Sequence, residues 1–545
     1  MKNIFRLALV ATLFFFISAC ENTELDLLSD PNEVTPENAE LNLLYNNVML
    51  SFRNFVVNAS GELQPYVRLI ALGGGDLYRN ADNPNSFDNE WSSAYSGVLP
   101  DLNLIISLAQ ESGQNVHGGS AKIMKAYVLF TLVDMFGDVP YSESGKGVEF
   151  PNPKTDSGAE VYAAAIALLD EAIKDLQTQG ARPTNDLYYG GDVVKWRKLA
   201  NTLKLRAYLQ TRLVNTNAKA QIDAIIASGE YLTATADDFQ FPYSSNRANP
   251  DSRHPNYAAG YETGGPAYQS NYFMWSLFGE KAVKDPRIRF YFYRQDGNIN
   301  DEDFFTLDCR GAPKPPHYPE WMPYCTASED GYWGRDHGND DGIPPDNLKR
   351  TAWGIYPSGG KFDDDSFKGI GNSGADGAKG AGIYPFMLAS WVDFMRAEAA
   401  LTLGTAGDPR ALLEGAVRKH IAKVISFSKG LLSIPAAFEP KQADIDAYVA
   451  EVLKLYDAAA TNDAKLNVII KEYHISLYTN GIDAYNTYRR TGKPANMQPM
   501  RDPNPGDFPR SMWYPSNFVN LNANADQKEL TKQVFWDTNP PGFIK

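Results

Sequence analysis

The chain has 545 residues, of which 43% are hydrophobic and 21% charged, so it can bury a sizeable core and falls outside the disordered and fibrous classes. Its 51 basic and 66 acidic residues leave a formal charge of −15, which argues against a surface built to bind nucleic-acid phosphates. Aromatic residues reach 12%, and 43 Gly with 34 Pro call for long ordered loops that carry rings. Such rings either stack on flat ligands such as sugars or pack as satellite clusters beneath the loops.

Residues 1–20 read MKNIFRLALVATLFFFISAC. Lys2 and Arg6 form a basic n-region, and Leu7 to Ala19 is apolar but too short to span a bilayer as a helix. The closing Ile17-Ser18-Ala19-Cys20 resembles a bacterial lipobox, whose cysteine becomes the lipidated first residue; an ordinary secretory signal is the alternative. The expected organisation is a lipoprotein signal peptide over 1–19, a lipidated polar tether over 20–34 and one domain over 35–545. Export favours oxidised thiols, so Cys309 and Cys325, 16 positions apart, are expected to pair as a disulfide, with two free thiols as the alternative. Closing that loop would contribute about 3 kcal/mol in the chain-entropy model.

In chain order, Thr35-Pro36 reads as a helix cap and first turn, followed by an apolar face at Leu41, Leu44, Tyr45, Val48, Phe52 and Phe55. A break at Gly73-Gly74-Gly75 opens an Asn- and Asp-rich loop that carries Tyr78 and Arg79 and ends near Trp91. Ala121–Phe136 is apolar almost throughout and predicts a buried helix stopped by Gly137. Stripes at Tyr162, Ala165, Leu169 and Leu176 and at Trp196, Leu199, Leu203 and Ala207 predict two more helices, spaced like tetratricopeptide pairs but without a clean repeat. Between about 240 and 385 periodicity disappears under Pro, Gly, Asp, Asn and rings, which predicts a functional loop region. Helices return at Met387–Leu401, 409–428, 441–459 and 464–479, the last continuing toward Arg489-Arg490. The final 45 residues read as irregular, proline-rich and aromatic.

Seven segments, in order, carry a resemblance. They are Asp30–Asn32, Ala121–Ser144, Gly191–Arg212, Asp285–Arg287, Met387–Leu401, Gly481–Pro494 and Tyr514–Asn524. Together, behind a lipobox, they resemble the SusD/RagB family of nutrient-binding outer-membrane lipoproteins, in particular its second SusD-like branch. The resemblance implies a mainly α fold, with tetratricopeptide-like helix pairs as scaffold and long irregular loops as the ligand face. It also implies a lipid-anchored protein facing the cell exterior, a lid on a SusC-like TonB-dependent transporter, that captures oligosaccharide or, in some members, peptide. The family has no catalytic residues to carry over.

Read as residues alone, most of these segments are structural: Trp196, Trp391 and the 121–136 helix are core, Asp285-Pro286-Arg287 is a turn with a local ion pair, and Arg489 and Arg490 complement a helix C-terminus. No HExxH, Walker or GxSxG pattern occurs. Cys309, His317, Cys325 and His337 share a window without zinc-finger spacing. The stretch with Asp336, Asn339, Asp340 and Asp341 reads as a solvated acidic turn, with a structural calcium as its alternative; no other cofactor or metal is expected. Ligand contacts are expected from rings no helical stripe explains: Trp321, Trp333 and Trp353, with Arg335 and Asp336 beside Trp333, and Tyr78 and Trp91 from the N-terminal loop. Each ring has burial under a loop as its competing reading, and Trp91 fits a helix face with Tyr95 and Leu99. A surface-anchored hydrolase and an adhesin-like structural lipoprotein are the competing functions.

Overall fold

The computed structural model describes residues 41–540 apart from 74, 76, 179, 263–266, 298–312, 326–330, 340–348 and 371–374, together with 542 and 543. The apolar stripe after position 40 forms α1 (Leu41–Leu63), which hides Tyr45, Val48, Phe52 and Phe55. After a loop, α2 (Asp88–Ser93) runs through a π turn at Ala94–Val98 into α3 (Leu99–Ser112). Helix α4 (Asn115–Phe136) has no solvent-facing side; His117, Ser120 and Asp134 are buried alongside its apolar residues. It starts six residues earlier than the apolar run, because polar His117 and Ser120 are bonded to Asn42 and Tyr45 of α1.

Around α4 pack α3 and α5 (Gly158–Asp175), followed by α6 (Val193–Gln210) on α5 and α7 (Ala218–Ser228) on α6. Local chemistry sets their ends: Ser157 and Glu160 form a reciprocal capping box on α5, and Asp192 accepts two amide hydrogen bonds at the start of α6. The stretch expected to be loops holds more order than its composition suggests. It contains β1 (Phe239–Pro242), α8 (Pro255–Glu262), α9 (Asn271–Phe278), β2 (Phe292–Tyr293), β3 (Ala352–Trp353) and β4 (Ile383–Met387). Strand β1 pairs antiparallel with β4, and β2 with β3, so segments far apart in sequence are stitched into two-stranded ladders that no short-range pattern announces.

A second series of packed helices follows: α10 (Ala389–Leu403), α11 (Pro409–Leu431), α12 (Gln442–Ala458) and α13 (Asn462–Ser476). The expected continuous helix to Arg490 is broken. Helix α13 ends at Ser476, Thr479 has φ +75°, and α14 (Gly481–Thr491) begins afresh. The cause lies on α1. The Ser60 hydroxyl donates to Thr479 O at 3.0 Å and accepts from Gly481 N–H at 2.7 Å, and a Cβ on Gly481 would stand 2.2 Å from Ser60 O. Arg489 and Arg490 lie in the last turn of α14, as expected of cations at a helix C-terminus. Both are buried, Arg489 donating to the Asp134 and Arg510 carbonyls and Arg490 forking onto Glu398. A short helix, α15 (Ser516–Leu521), sits in the C-terminal segment.

Candidate functional site

Two proline-stiffened segments face each other across a cavity. One, 313–325, carries Pro313, Pro315, Pro316, Pro319 and Pro323; the other, 494–509, carries Pro494, Pro499, Pro503, Pro505 and Pro509. With φ locked at these positions, both chains hold their shape without regular hydrogen bonding. They are fastened together where His317 Nε2 meets Met500 O at 2.9 Å and Tyr318 OH donates to Pro499 O at 3.0 Å. The cavity between them has a volume of about 500 Å³ and is lined mainly by Trp321, Met322, Met497, Met500, Phe508 and Tyr78.

Trp321 is the ring that stands out. It is 55% exposed at the mouth and lies stacked on Trp275 of α9, centroids 6.2 Å apart and planes 26° from parallel. Water cannot hydrate the flat faces of two stacked indoles well, so such a platform is suited to the apolar face of a sugar ring. A second, 320 Å³ lobe adjoins the first and shares Tyr78, Pro505, Gly506 and Asp507 with it, adding Arg79, Asn504, Trp513 and Glu529. The Tyr78 amide donates to Pro505 O at 3.0 Å and so pins the two walls together at the junction.

Beneath the groove lies a buried polar network. Arg68 donates from Nε and Nη2 to Gln498 O at 3.0 and 2.7 Å, and its Nη2 also reaches Tyr78 OH at 3.1 Å. Tyr78 OH faces His337 Nε2 at 3.3 Å. The Gln498 side chain accepts from His337 N–H at 3.0 Å and donates to Asp336 Oδ1 at 2.7 Å. Asp336 also accepts from Asn271 Nδ2 at 3.1 Å and from Cys325 N–H at 2.8 Å. Burial pushes the Asp336 carboxyl up, against the pull of these donors, and pushes the His337 imidazole well below its usual range, helped by the Arg68 charge.

The sequence-derived candidates are therefore split. Trp321 lies at the mouth, and Tyr78 lines both lobes while its hydroxyl is spent on the network. Asp336 is fully buried and acts as a hub that ties the Trp321 segment to the 494–509 segment, not as a ligand contact. Trp353 is a β3 residue in the core against Tyr478, and Trp333 is buried with its amide on Thr351. Arg335 is laid over the Tyr268 ring at 4.3 Å. Trp91 packs on Phe136 and Phe518 at the edge of a separate cavity, as its helix-face reading required. Burial separates these groups, because a ring in a non-periodic segment can end beneath a loop as readily as above it. Sequence reasoning missed the opposite wall, 494–509, although five prolines among 16 residues signalled a fixed segment.

Cys325 is disulfide-bonded; Cys309 and Cys20 lie outside the described residues. Among the described residues no group of His, Cys, Asp or Glu is arranged to hold a metal ion, and Asp340 and Asp341 lie outside them. Nor is any helix among the described residues long and apolar enough to cross a membrane.

A family model described as starch-binding and associating with the outer membrane matches residues 32–308, and one described as the SusD and RagB outer-membrane lipoprotein matches residues 375–534. A search of curated protein sequences gave no match. Among solved structures, the chain is similar to a SusD/RagB family protein from Bacteroides thetaiotaomicron (20% identity, TM-score 0.67, covering 92% of this chain and 100% of that one). It is also similar to a SusD homologue from Bacteroides fragilis (17%, TM-score 0.65, 92% and 100%) and to a chitin-binding SusD homologue from Flavobacterium johnsoniae (20%, TM-score 0.62, 92% and 99%). At these identities the structural likeness establishes the fold.

Proposed function

This chain belongs to the SusD/RagB family of outer-membrane lipoproteins, and from that premise we propose that it captures oligosaccharide in the groove between 313–325 and 494–509. The observation that carries the reading is the exposed Trp321 stacked on Trp275 at the mouth of a preformed cavity. The ring face of a sugar lies on the indole, while the apolar lobe of Met322, Met497 and Phe508 excludes water from its far side. The chitin-binding neighbour makes β-linked amino-sugar oligomers the first ligands to try. Binding is the whole activity of the groove, with no turnover of the ligand.

The remaining parts of the proposal follow from the family and the leader. Cys20 carries the lipid, the domain faces the cell exterior, and a SusC-like TonB-dependent barrel receives the ligand from beneath this lid. Calorimetric titration of oligosaccharides into the protein tests the site: binding in the wild type that drops about tenfold in Trp321→Ala, with an unchanged melting temperature, is expected. Gentle detergent pull-down from native outer membranes tests the partner. A stoichiometric barrel is expected; recovery of the protein alone, with Cys20→Ala still membrane-bound, would remove both the partner and the anchor.

A further inference from the structure

The larger lobe has a wall that neither proline-stiffened segment supplies: Gly542 lines it, as do Ala495, Asn496 and Met497. What holds Gly542 there can be traced residue by residue. The Asn539 side chain donates from Nδ2 to Arg489 O at 2.6 Å and to Arg490 O at 3.2 Å, satisfying two carbonyls that the last turn of α14 leaves without helical partners. The Asn539 carbonyl accepts from Gln533 Nε2 at 2.7 Å and from Arg510 Nη2 at 3.1 Å. Beyond this clamp the Phe543 amide donates back to Pro540 O at 3.2 Å, and the Phe543 ring lies on Gly492. Gly492 caps α14 with φ +66°, and a Cβ there would stand 2.6 Å from the ring, so the bare glycine is what lets the ring seat.

We propose that the strap formed by Pro540, Gly542 and Phe543 is a stop at one end of the groove, so that the site takes an oligosaccharide by its chain end and excludes the uninterrupted middle of a polysaccharide. This rests on the reading of the groove as a glycan site and specifies which part of a glycan it takes. The strap is seated on Gly492, two residues before the 494–509 wall begins. The aromatic platform stands at the same end, since Tyr272, on the same helix as Trp275, donates to Asn496 Oδ1 at 3.1 Å. From there the wall runs to Pro505 and Gly506, where the groove continues into the smaller lobe. The groove is therefore walled at the Trp321 end and open through the other lobe. A terminal sugar sits on Trp321 against the strap, and its chain leads away past Tyr78. An internal sugar would need its next residue where Gly542 stands. Selectivity of this kind comes from a clash with the wrong ligand and leaves the contacts to the right one intact.

The test compares short chito-oligosaccharides with glycol chitin, a soluble polymer of related sugars with few chain ends, each titrated at equal sugar concentration into the full-length protein in detergent. Expected is binding of the oligomers about tenfold tighter than of the polymer. A variant ended after Pro540 keeps the Asn539 clamp and should lose that preference by gaining affinity for the polymer, at an unchanged melting temperature. Phe543→Ala, which removes the ring that seats the strap, should shift the same way, and Phe543→Tyr, which keeps a ring, should behave as the wild type. A preference that survives in both the shortened protein and Phe543→Ala would overturn the stop. So would an equal loss of affinity for oligomer and polymer in those variants, which would make the strap an ordinary wall, and so would a wild type that binds polymer as tightly as oligomer; each leaves the glycan groove standing. No binding of either by the wild type would overturn the reading of the groove as a site for this class of glycan, and the stop with it.

Discussion

Two tryptophans set the range of what a single side chain does here. Trp321 is mostly in water and Trp353 is 4% exposed in the core, although both come from the same aperiodic stretch of sequence. Truncating Trp353 to alanine should therefore cost about 3–5 kcal/mol of stability, read as a large fall in melting temperature. The same change at Trp321 should leave the melt alone and show only in ligand titration. Gly481 supplies the third case. A methyl there meets the Ser60 carbonyl at 2.2 Å, which is backbone and cannot swing away. Gly481→Ala should destabilise by about 1–3 kcal/mol, whereas Gly415→Ala on α11, where a Cβ meets nothing within 4 Å, should be neutral or mildly stabilising; paired thermal melts decide it.

At the scale of elements, the groove depends on irregular segments held from below. The 313–325 segment is fixed to 494–509 by His317 and Tyr318 above and by Asp336 and Gln498 below. Removing the Asp336 carboxylate strands the donors of Gln498, Asn271 and Cys325 in a dry site. Asp336→Ala should cost about 3 kcal/mol or more and weaken ligand binding together with the melt, and Asp336→Asn, which keeps one acceptor, should fall between. Equal affinity in wild type and alanine variant would mean that the groove keeps its shape without the hub. The tripeptide Asp-Pro-Arg shows how context governs an element. At 408–410 its aspartate caps α11, accepting from Ala411 N–H at 2.8 Å, and its arginine pairs with exposed Asp457. At 285–287 the same three residues are sunk in the core, where Arg287 bridges Asp285 and Glu472.

For the whole molecule, buried histidines couple stability to pH. His254 and His474 are each pushed down to about 3 by burial, and His337 and His420 well below their usual value for the same reason. Their folded affinities for protons lie under the unfolded value near 6.5, so unfolding takes up protons as pH falls beneath it. Stability from each is complete above about pH 6.5 and is lost on acidification at roughly 1.4 kcal/mol per pH unit. Glu62, raised to about 7 by burial, works in the opposite sense, as do Asp82, Glu90, Asp101, Asp134, Asp238 and Asp336, whose carboxyls burial also pushes up. The melting temperature should fall steadily from pH 7 to pH 5. A flat or rising profile would show that these imidazoles accept protons without unfolding.

The helical scaffold could be read from the chain because helix formation is local. Periodic apolar faces located α5, α6, α10 and α11 to within a few residues and found α1 and α4, α4 beginning six residues before the expected run and the expected cap of α1 at Thr35-Pro36 lying outside the described residues; buried Trp196 and Trp391 sat on such faces as expected. The family, too, was legible, since its motifs lie on these helices and at their ends. Where periodicity stops, distance along the chain no longer predicts neighbourhood. The pairings of β1 with β4 and β2 with β3, the break before Gly481, and the meeting of 313–325 with 494–509 all join residues far apart in sequence. Whether a loop tryptophan faces solvent or core is decided by those long-range contacts, which is why, of the four tryptophans expected at a ligand face, Trp321 is exposed and Trp91, Trp333 and Trp353 are packed away.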